Sequence, residues 1–343
     1  VASHIALLCI RMDKTASEDK VASGKVAAVP GQSGEAVGLR SAGTTGALSG
    51  PSRGPAVARR AVQPSSEDWA RLADGELLND TLLDFFLSYL TEEFGQGVVH
   101  TFSPLFFSRL EKGGWADVQN WTRRLRKHEC AGVFAKDFLL VPIHDEVLKH
   151  WWLAVVCHPW AAAPRQHGAS AESVPSAVAA RQGKPMIAFL DSLQLAGQDA
   201  VDDIDALPAI TARESRVLDG LRDYFEAEWA SIFTPLPYDK ESIRGVRVQV
   251  PQQLNAEDCG VYLLEFARQL LVADGLADLA AIEHEDSKPS TVRALEQVCQ
   301  DPRAYWRDFG RRICRDDDEV CSGAAVCKSG PSGSGSRLRA HSG

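Results

Sequence analysis

The sequence lacks the features that mark membrane-spanning and nucleic-acid-binding proteins. No apolar run approaches the roughly 20 residues that cross a bilayer, and the opening run Ile5–Ile10 is far too short. Basic residues are in the minority, with 37 Lys and Arg against 46 Asp and Glu and a net charge of -9. A basic face for nucleic acid is therefore not expected. The short basic run Arg123–Lys127 is interpreted as a solvated helix face.

Paired cysteine motifs are also missing. The eight cysteines show no CxxC pair and no regular spacing, which predicts reduced thiols in an intracellular protein rather than a disulfide framework. Cys314, Cys321 and Cys327 come nearest to a metal cluster, but their spacing is loose and no histidine follows until His341. Neither a metal nor an organic cofactor is expected.

Aromatic residues are absent from residues 1–62, which consist mostly of Ala, Gly, Ser, Val and Pro. Such a segment buries too little apolar surface to offset the entropy of ordering, so we predict a disordered, low-complexity N-terminal segment. The Ser/Gly-rich end predicts a flexible C-terminal tail over 316–343. The folded domain is then expected over 63–315, with an exposed Ala/Pro/Gln-rich insertion at about 159–185.

Within this domain the pattern predicts an α+β fold with a central sheet. Three short apolar runs, Asp137–Ile143, His150–Cys157 and Met186–Leu190, are typical of buried central strands, and Val246–Val250 alternates like another strand. Amphipathic helices are predicted over Asn79–Thr91, after Pro104 and over Val217–Phe233, and a nearly all-apolar buried helix over Cys259–Ala273. Since helices do not separate the strands regularly, a doubly wound α/β fold is disfavoured.

Cys259 is a candidate nucleophile because it starts the buried helix. The partial positive charge and free N–H groups of a helix N-terminus favour thiolate over thiol. The ordinary alternative is a small buried hydrophobic residue, which is the usual fate of a cysteine. A thiolate enzyme also needs a base and a group that orients it. His150 begins one predicted central strand and Asp191 follows the next.

An oxyanion donor is predicted in the loop before Cys259. The side-chain amide of Gln253, together with the backbone N–H of Cys259, is suited to stabilise a developing oxyanion. Gln252 is an equally good donor on composition alone, so the choice stays open at this level. His144 and His158 lie near His150 but in flanking loops, and are weaker candidates for the base.

Four motifs together resemble the SUMO/sentrin-specific (Ulp-type) cysteine proteases. PQQLNAEDCG at 251–260 is similar to the family's active-site signature, HWWLAVV at 150–156 to its HW-x-LAV strand, and DSL at 191–193 to its DSL element. LND at 78–80, with the following helix, resembles its LND helix. FAKDFLLVP at 134–142 is closest to the branch that contains the poly-SUMO chain-editing members. Motifs that agree in number and order are far more specific than one alone.

The resemblance implies a papain-like α+β fold and a role for each matching residue. Cys259 is the expected nucleophile, His150 the base, Asp191 the orienting carboxylate and Gln253 the oxyanion donor. Trp151 and Leu77 are expected to enclose the C-terminal Gly-Gly of the substrate, although many members carry an aromatic residue where this chain has Leu77. Asp80 is expected either to contact the modifier or to cap its helix.

The implied activity is that of a thiol isopeptidase and endopeptidase acting on SUMO and SUMO-conjugated proteins. The family further implies a monomer that works in the nucleus, with the cytoplasm as a further location. Two alternatives stay open: a protease for another ubiquitin-like modifier, or a SUMO-binding domain without turnover. Some distant relatives with the same residue order are acetyltransferases, and substrate identity rests on the resemblance alone.

Overall fold

The structure is a computed structural model that describes residues 63–164, 181–193, 210–272, 275–282, 295 and 301–326, with side chains up to residue 314 in the last range. All of them belong to one compact unit, Val62–Gly343. The predicted disordered segment 1–62, most of the predicted insertion and the chain after residue 326 lie outside the described residues. None of the helices in the described ranges is long and apolar enough to span a membrane.

A five-stranded mixed sheet forms the centre of the unit. Its strands are β1 (Val99–Thr101), β2 (Phe138–Asp145), β3 (His150–Cys157), β4 (Met186–Leu190) and β5 (Arg244–Arg247). They lie side by side in chain order, with β1 parallel to β2, β3 antiparallel to both β2 and β4, and β5 parallel to β4. The predicted α+β fold with a central mixed sheet is confirmed.

Eight helices occur in the described part of the chain. They are α1 (Ser66–Ala70), α2 (Asp80–Phe94), α3 (Phe106–Val118), α4 (Arg123–His128), α5 (Ala212–Phe233), α6 (Cys259–Val272), α7 (Gly275–Ala280) and α8 (Pro302–Val326). The amphipathic helices predicted from sequence correspond to α2, α3 and α5, and the predicted all-apolar buried helix corresponds to α6. Each of these buries an apolar stripe, as the 3.6-residue period requires.

The sheet carries an apolar core on each face. Alternate side chains of a strand point to opposite faces, so Leu153 and Val155 pack with α2, α6 and α8, whereas Ala154 and Val156 pack with α3 and α5. All eight residues of β3 are buried, which explains why its sequence is a continuous apolar run rather than an alternating one. The sheet therefore holds His150, at the start of β3, in a rigid frame.

Three predicted boundaries are wrong. The insertion does not begin at 159, because Pro159–Ala162 forms a 3₁₀ turn whose Trp160 is 3% exposed. The last strand begins at Arg244 and not at Val246, because pairing with β4, rather than alternation of valines, decides which residues form the strand. The chain does not become a tail at 316, since α8 continues to Val326. Extending an existing helix adds one hydrogen bond per ordered residue and needs no burial.

Candidate active site

Two neighbouring strands bring the predicted base and its carboxylate together. His150 begins β3 and Asp191 directly follows β4, and the antiparallel pairing of these strands ends at Leu153 and Leu190. The Nε2 atom of His150 lies 2.6 Å from Oδ1 of Asp191. Cys259 begins α6 and lies close enough to the His150 ring to raise the pKa of that ring. Because Nε2 is engaged by Asp191, Nδ1 is the nitrogen that faces the sulfur.

The environment of His150 favours its charged form. Burial alone would lower the imidazole pKa, but the hydrogen bond that the ring makes to Asp191 and its interaction with Cys259 outweigh burial and raise the pKa of His150 to about 9. The ring is therefore an imidazolium at neutral pH. His150, Asp191 and Cys259 are all at most 2% exposed, so bulk water screens their interactions only weakly. This is the charge arrangement that a thiolate–imidazolium nucleophile needs.

Asp191 is held by two further donors. The backbone N–H of Leu193 donates to Oδ1 at 2.9 Å, and the guanidinium of Arg213 donates to Oδ2. Arg213 comes from the first turn of α5, lies over the Trp152 ring with its Cζ 5.2 Å from the ring centroid, and forms a longer ion pair of 3.8 Å with Asp145. The Asp191 carboxylate thus has a fixed orientation towards His150.

Sequence reasoning missed Arg213. The sequence feature that locates Arg213 is the capping box at the start of α5, in which Thr211 and Glu214 exchange hydrogen bonds. That box places Arg213 in the first helical turn. It carries no information on which strand end the turn faces, because this depends on how α5 packs across the sheet.

The loop before Cys259 distinguishes the two glutamines that the sequence left open. The Gln252 amide donates to the carbonyls of Val250 (2.9 Å) and Asp191 (3.2 Å). The Gln253 carbonyl accepts from the Ser192 hydroxyl at 2.7 Å, and its amide nitrogen donates to the Asn255 carbonyl at 2.7 Å. Since that bond uses one of two amide hydrogens, the second is left for an oxyanion. This geometry favours Gln253 over Gln252, and its role stays a prediction.

The predicted walls of the substrate channel lie beside Cys259. Trp151 is 7% exposed and donates its indole N–H to the Leu78 carbonyl at 3.1 Å, which fixes the ring next to the segment that carries Leu77. Leu77 is 36% exposed. Gly260, the residue after Cys259, allows the start of α6 to lie close to Leu78. A Cβ atom at position 260 would be only 2.9 Å from Cβ of Leu78.

Asp80 does not cap its helix. The N-cap of α2 is Asn79, whose side-chain oxygen accepts from the backbone N–H of Leu82 at 3.1 Å. Asp80 is the first helical residue, where a carboxylate interacts favourably with the helix dipole. Capping therefore no longer accounts for Asp80, and its predicted contact with the modifier stays a prediction.

The two other histidines near His150 lie outside the catalytic group. His144 is the seventh residue of β2 rather than part of the loop before β3. Its ring packs at a tilt against Trp151, with ring centroids 4.3 Å apart. His158 follows β3 in a left-handed backbone conformation. Burial lowers the pKa of both rings. No group of three or more His, Cys, Asp or Glu side chains able to hold a metal ion occurs among the described residues.

Comparison with known proteins gives one family. Residues 76–289 match the Ulp1 protease family, C-terminal catalytic domain. Human sentrin-specific protease 7 is 28% identical over 246 residues, covering 59% of this chain and 23% of that protein. Ubiquitin-like-specific protease 2 of Schizosaccharomyces pombe is 29% identical over 243 residues, covering 63% of this chain and 34% of that protein. The chain thus matches about a quarter to a third of the length of these relatives.

Solved structures of similar proteins were also found. The SUMO protease Ulp1 with its catalytic cysteine oxidized to a sulfenic acid has a TM-score of 0.49 and 19% identity, covering 75% of this chain and 85% of that chain. The C-terminal Ulp1 protease domain in complex with Smt3, the yeast ortholog of SUMO, has a TM-score of 0.42 and 19% identity, covering 70% and 79%.

Proposed function

Since this chain belongs to the Ulp1 protease family, represented by its C-terminal catalytic domain, we propose that it cleaves after the C-terminal Gly-Gly of a SUMO-like modifier. The substrate is either a precursor or a modifier joined to a lysine of another protein. One observation carries the proposal. The His150 imidazole is hydrogen-bonded to Asp191, and Cys259, at the start of a buried helix, lies close enough to the ring to raise its pKa.

The first half of the reaction forms a thioester. The Cys259 thiolate attacks the carbonyl carbon of the last glycine, and the carbonyl electrons move onto oxygen. The backbone N–H of Cys259 and the Gln253 amide donate to this oxyanion. When the tetrahedral intermediate collapses, the C–N bond breaks and His150 gives its proton to the departing lysine amine. Asp191 keeps the ring aligned throughout.

The second half releases the modifier. His150, now neutral, accepts a proton from water as the water oxygen attacks the thioester carbonyl. The C–S bond then breaks, which yields the carboxylic acid of the modifier and the Cys259 thiolate beside a protonated His150. The acid gives its proton to solvent and becomes the carboxylate. The nucleophile and base thus return to their starting charges. These steps use only groups of this chain and water.

The channel that the family resemblance implies beside Cys259 would require glycine before the cleaved bond. Trp151 and Leu77 lie on the segments that flank the nucleophile, and a peptide that passes between two close side chains must have small residues. The SUMO-like identity of the modifier is supported by the motifs at 134–142 and 251–260 and by the names of the relatives. We place the chain in the branch that edits poly-SUMO chains on the same two kinds of support, namely the motif at 134–142 and the names of the relatives.

The test is covalent capture with a panel of probes. The protein is incubated with SUMO carrying a C-terminal electrophile, and with matched ubiquitin and other ubiquitin-like probes, each alongside Cys259→Ala. We expect an adduct with the SUMO probe, absent in the variant, whose mass identifies Cys259 as the attachment site. Cys130, which is exposed, is the internal control for non-specific labelling.

The other outcomes have distinct meanings. An adduct with a different modifier would keep the nucleophile and replace the substrate. A folded protein that reacts with no probe but binds SUMO would replace the enzyme with a binding domain. Transfer of an acyl group to an amine rather than to water would indicate the acetyltransferase chemistry of distant relatives.

We also propose that the protein acts as a monomer in the nucleus, neither bound to membranes nor to nucleic acid. The nuclear assignment is supported by the family resemblance alone. The acidic net charge argues against binding to nucleic acid, and the absence of long apolar runs argues against a membrane-bound protein. Imaging of the tagged chain tests its location. Light scattering at several protein concentrations tests its oligomeric state, and a mass twice that of the chain would overturn the monomer.

A further inference from the structure

Arg303 is a buried arginine outside the catalytic group. It lies in the first turn of α8 and is 5% exposed. Its guanidinium donates to the carboxylate of Asp258. It also donates to four backbone carbonyls, those of Arg71 (3.3 Å), Ala73 (2.8 Å), Glu76 (2.5 Å) and Glu257 (3.1 Å). A buried charge is tolerated only when it is paired and hydrogen-bonded to this degree.

The acceptors belong to two segments that border the active site. Ala73 and Glu76 lie in the loop that leads to Leu77, the predicted wall of the channel. Glu257 and Asp258 immediately precede Cys259. These segments are about 180 residues apart in sequence, and Arg303 contacts both with one planar group.

We propose that Arg303 is a positioning residue that sets the separation between the channel wall at 71–77 and the start of the nucleophile helix. This inference rests on the proposed function in one respect, namely that the substrate tail passes between these two segments. The C-terminal helix thereby takes part in catalysis although its first turn does not touch the reacting atoms. Movement of either segment changes both the channel width and the direction of the Cys259 thiolate.

Charge gives Arg303 a second effect on the nucleophile. Asp258 is adjacent to Cys259, and an unpaired carboxylate there opposes the formation of a thiolate. The ion pair with Arg303 neutralises this carboxylate. The Asn255 amide also donates to Asp258, at 2.7 Å, but it contributes no positive charge. The thiolate therefore depends on Arg303 electrostatically as well as geometrically.

The arrangement requires the fork of an arginine. Guanidinium has five N–H donors in one plane, whereas the lysine ammonium has three on a compact centre. A lysine at 303 can keep the positive charge near Asp258 but cannot span the carbonyls of both segments. Arg303→Lys thus separates the geometric effect from the electrostatic one.

Arg307, one turn later in α8, is a matched control. It donates to the Leu72 carbonyl at 2.8 Å and pairs with Asp74 at 3.3 Å. It therefore anchors the same 71–76 loop to the same helix, but its contacts do not include residues 257–258. If both arginines only held α8 against the 71–76 loop, replacing either one would change the reactivity of Cys259 by a similar factor. The proposal instead predicts a larger change when Arg303 is replaced.

The first measurement is the rate at which iodoacetamide alkylates Cys259 at neutral pH, followed by mass spectrometry of the peptide that contains it. This readout needs no protein substrate. In the full chain we expect Arg303→Met to slow alkylation about 10-fold and Arg307→Met to change it less than about 2-fold. Asp258→Asn in the Arg303→Met background should restore part of the rate, because the unpaired carboxylate is gone.

The second measurement is cleavage of a fluorogenic SUMO substrate. Because Arg303 sets both channel and nucleophile, Arg303→Met and Arg303→Lys should lower kcat and raise KM together, with a loss of about 10- to 100-fold in kcat/KM. If Arg303→Met does not fold, Arg303→Lys carries both tests, with slower alkylation as the expected result. Thermal unfolding of each variant shows whether it is folded.

Two results would overturn the proposal: unchanged alkylation and cleavage in a folded Arg303 variant, or equal losses in the Arg307 variant. The second would assign Arg303 to helix docking alone. Failure of the wild type to cleave SUMO, with the expected alkylation pattern intact, would instead refute the proposed substrate and leave the positioning role in place.

Discussion

At His150, two opposing effects act on a single imidazole. Burial removes water from the ring and disfavours its charge, whereas the Asp191 carboxylate and the Cys259 sulfur favour it. The second effect is larger, and the pKa rises to about 9. The cationic form is therefore present across the neutral range. In the proposed mechanism it is first the partner of the thiolate and then the acid for the leaving amine.

The pH dependence of cleavage should reflect this shift. Because the folded pKa lies above the ordinary value of 6.5, the imidazolium also stabilises the folded state, fully so below about pH 6.5, and this stabilisation is lost as pH rises through about 9. We expect kcat/KM for a SUMO substrate to fall on the alkaline side around pH 9. Rates measured from about pH 6 to about pH 10, with Cys259→Ala as background, test this. A fall centred near 6.5 would contradict it.

Leu77 gives a second prediction at the residue scale. An aromatic ring offers a flat, polarizable wall to a peptide, and such contacts contribute about 0.5–1.5 kcal/mol beyond burial. Leu77→Trp should therefore lower KM for a Gly-Gly substrate by about 2- to 10-fold with little change in kcat. Leu105→Trp is the control, because Leu105 is also an exposed leucine, at 50%, but precedes α3. An equal effect of both substitutions would remove Leu77 from the channel.

At the scale of elements, the site depends on the contact between α2 and α6. The first turn of α6 lies directly against Leu78, which precedes the start of α2, and the Leu78 carbonyl also accepts from Trp151. Leu78 thus contacts both Gly260, which follows Cys259, and Trp151, which follows His150. Small changes at the ends of these two helices should affect both stability and catalysis.

Gly260→Ala tests the close approach. The added Cβ would lie 2.9 Å from Cβ of Leu78, so the α6 turn must shift, and overpacking of this kind costs about 1–3 kcal/mol in the free energy of unfolding. Cleavage should slow as well. Gly220→Ala in α5 is the control: its Cβ would meet Phe107 at an ordinary 3.4 Å, so stability should rise by up to about 1 kcal/mol. Denaturant unfolding measures both, and equal shifts would refute the argument.

The start of α2 offers a test of the cap assignment. Asn79→Ala removes the acceptor for the Leu82 N–H and should lower the free energy of unfolding by about 1 kcal/mol. Asn79 also donates to Asp68 at 2.6 Å, which adds to the loss. Asp80→Ala removes only a first-turn carboxylate and should cost about 0.3–1 kcal/mol. If Asp80→Ala proved the more destabilising in thermal or denaturant unfolding, the cap would have to be reassigned.

At the scale of the whole molecule, α8 closes the core on one face of the sheet. Trp306, Phe309 and Ile313 are at most 4% exposed, and Trp306 packs edge-on against Phe86 with ring centroids 4.9 Å apart. The helix that carries Arg303 is therefore part of the catalytic fold. Its packing connects the last described segment of the chain to the first helices of the unit.

Truncation separates the packed part of α8 from its extension. A chain that ends at residue 315 keeps every α8 side chain that the structure describes, so its melting temperature should be close to that of the full chain. A chain that ends at 301 loses the buried Arg303 and three buried apolar side chains, the latter each worth about 2–5 kcal/mol, against a total stability of about 5–15 kcal/mol. It should not fold cooperatively. Circular dichroism on heating tests this, and a cooperative transition of the shorter chain would show that α8 is dispensable.

The sequence predicts those features of the fold and of the site that depend on residues close together in the chain. Periodicity and continuous apolar runs were enough for the main helices and central strands, because each pattern reports which faces of an element are buried. The roles of His150, Asp191 and Cys259 were predicted because each lies at the end of such an element, within a recognisable motif. Boundaries were less reliable, as at Pro159 and Arg244, because neighbouring segments decide where pairing and burial begin.

By itself, the sequence determined the α+β fold class, the order of the catalytic residues and the family resemblance, all of which depend on spacings of a few residues. Only the tertiary structure decided that Arg213 donates to Asp191, that the Gln253 side chain contacts Ser192 and Asn255, and that Arg303 joins residues 71–76 to 257–258. The physical reason is distance along the chain. A guanidinium finds its acceptors after the whole core has packed, and no local pattern encodes which distant carbonyls will then face it.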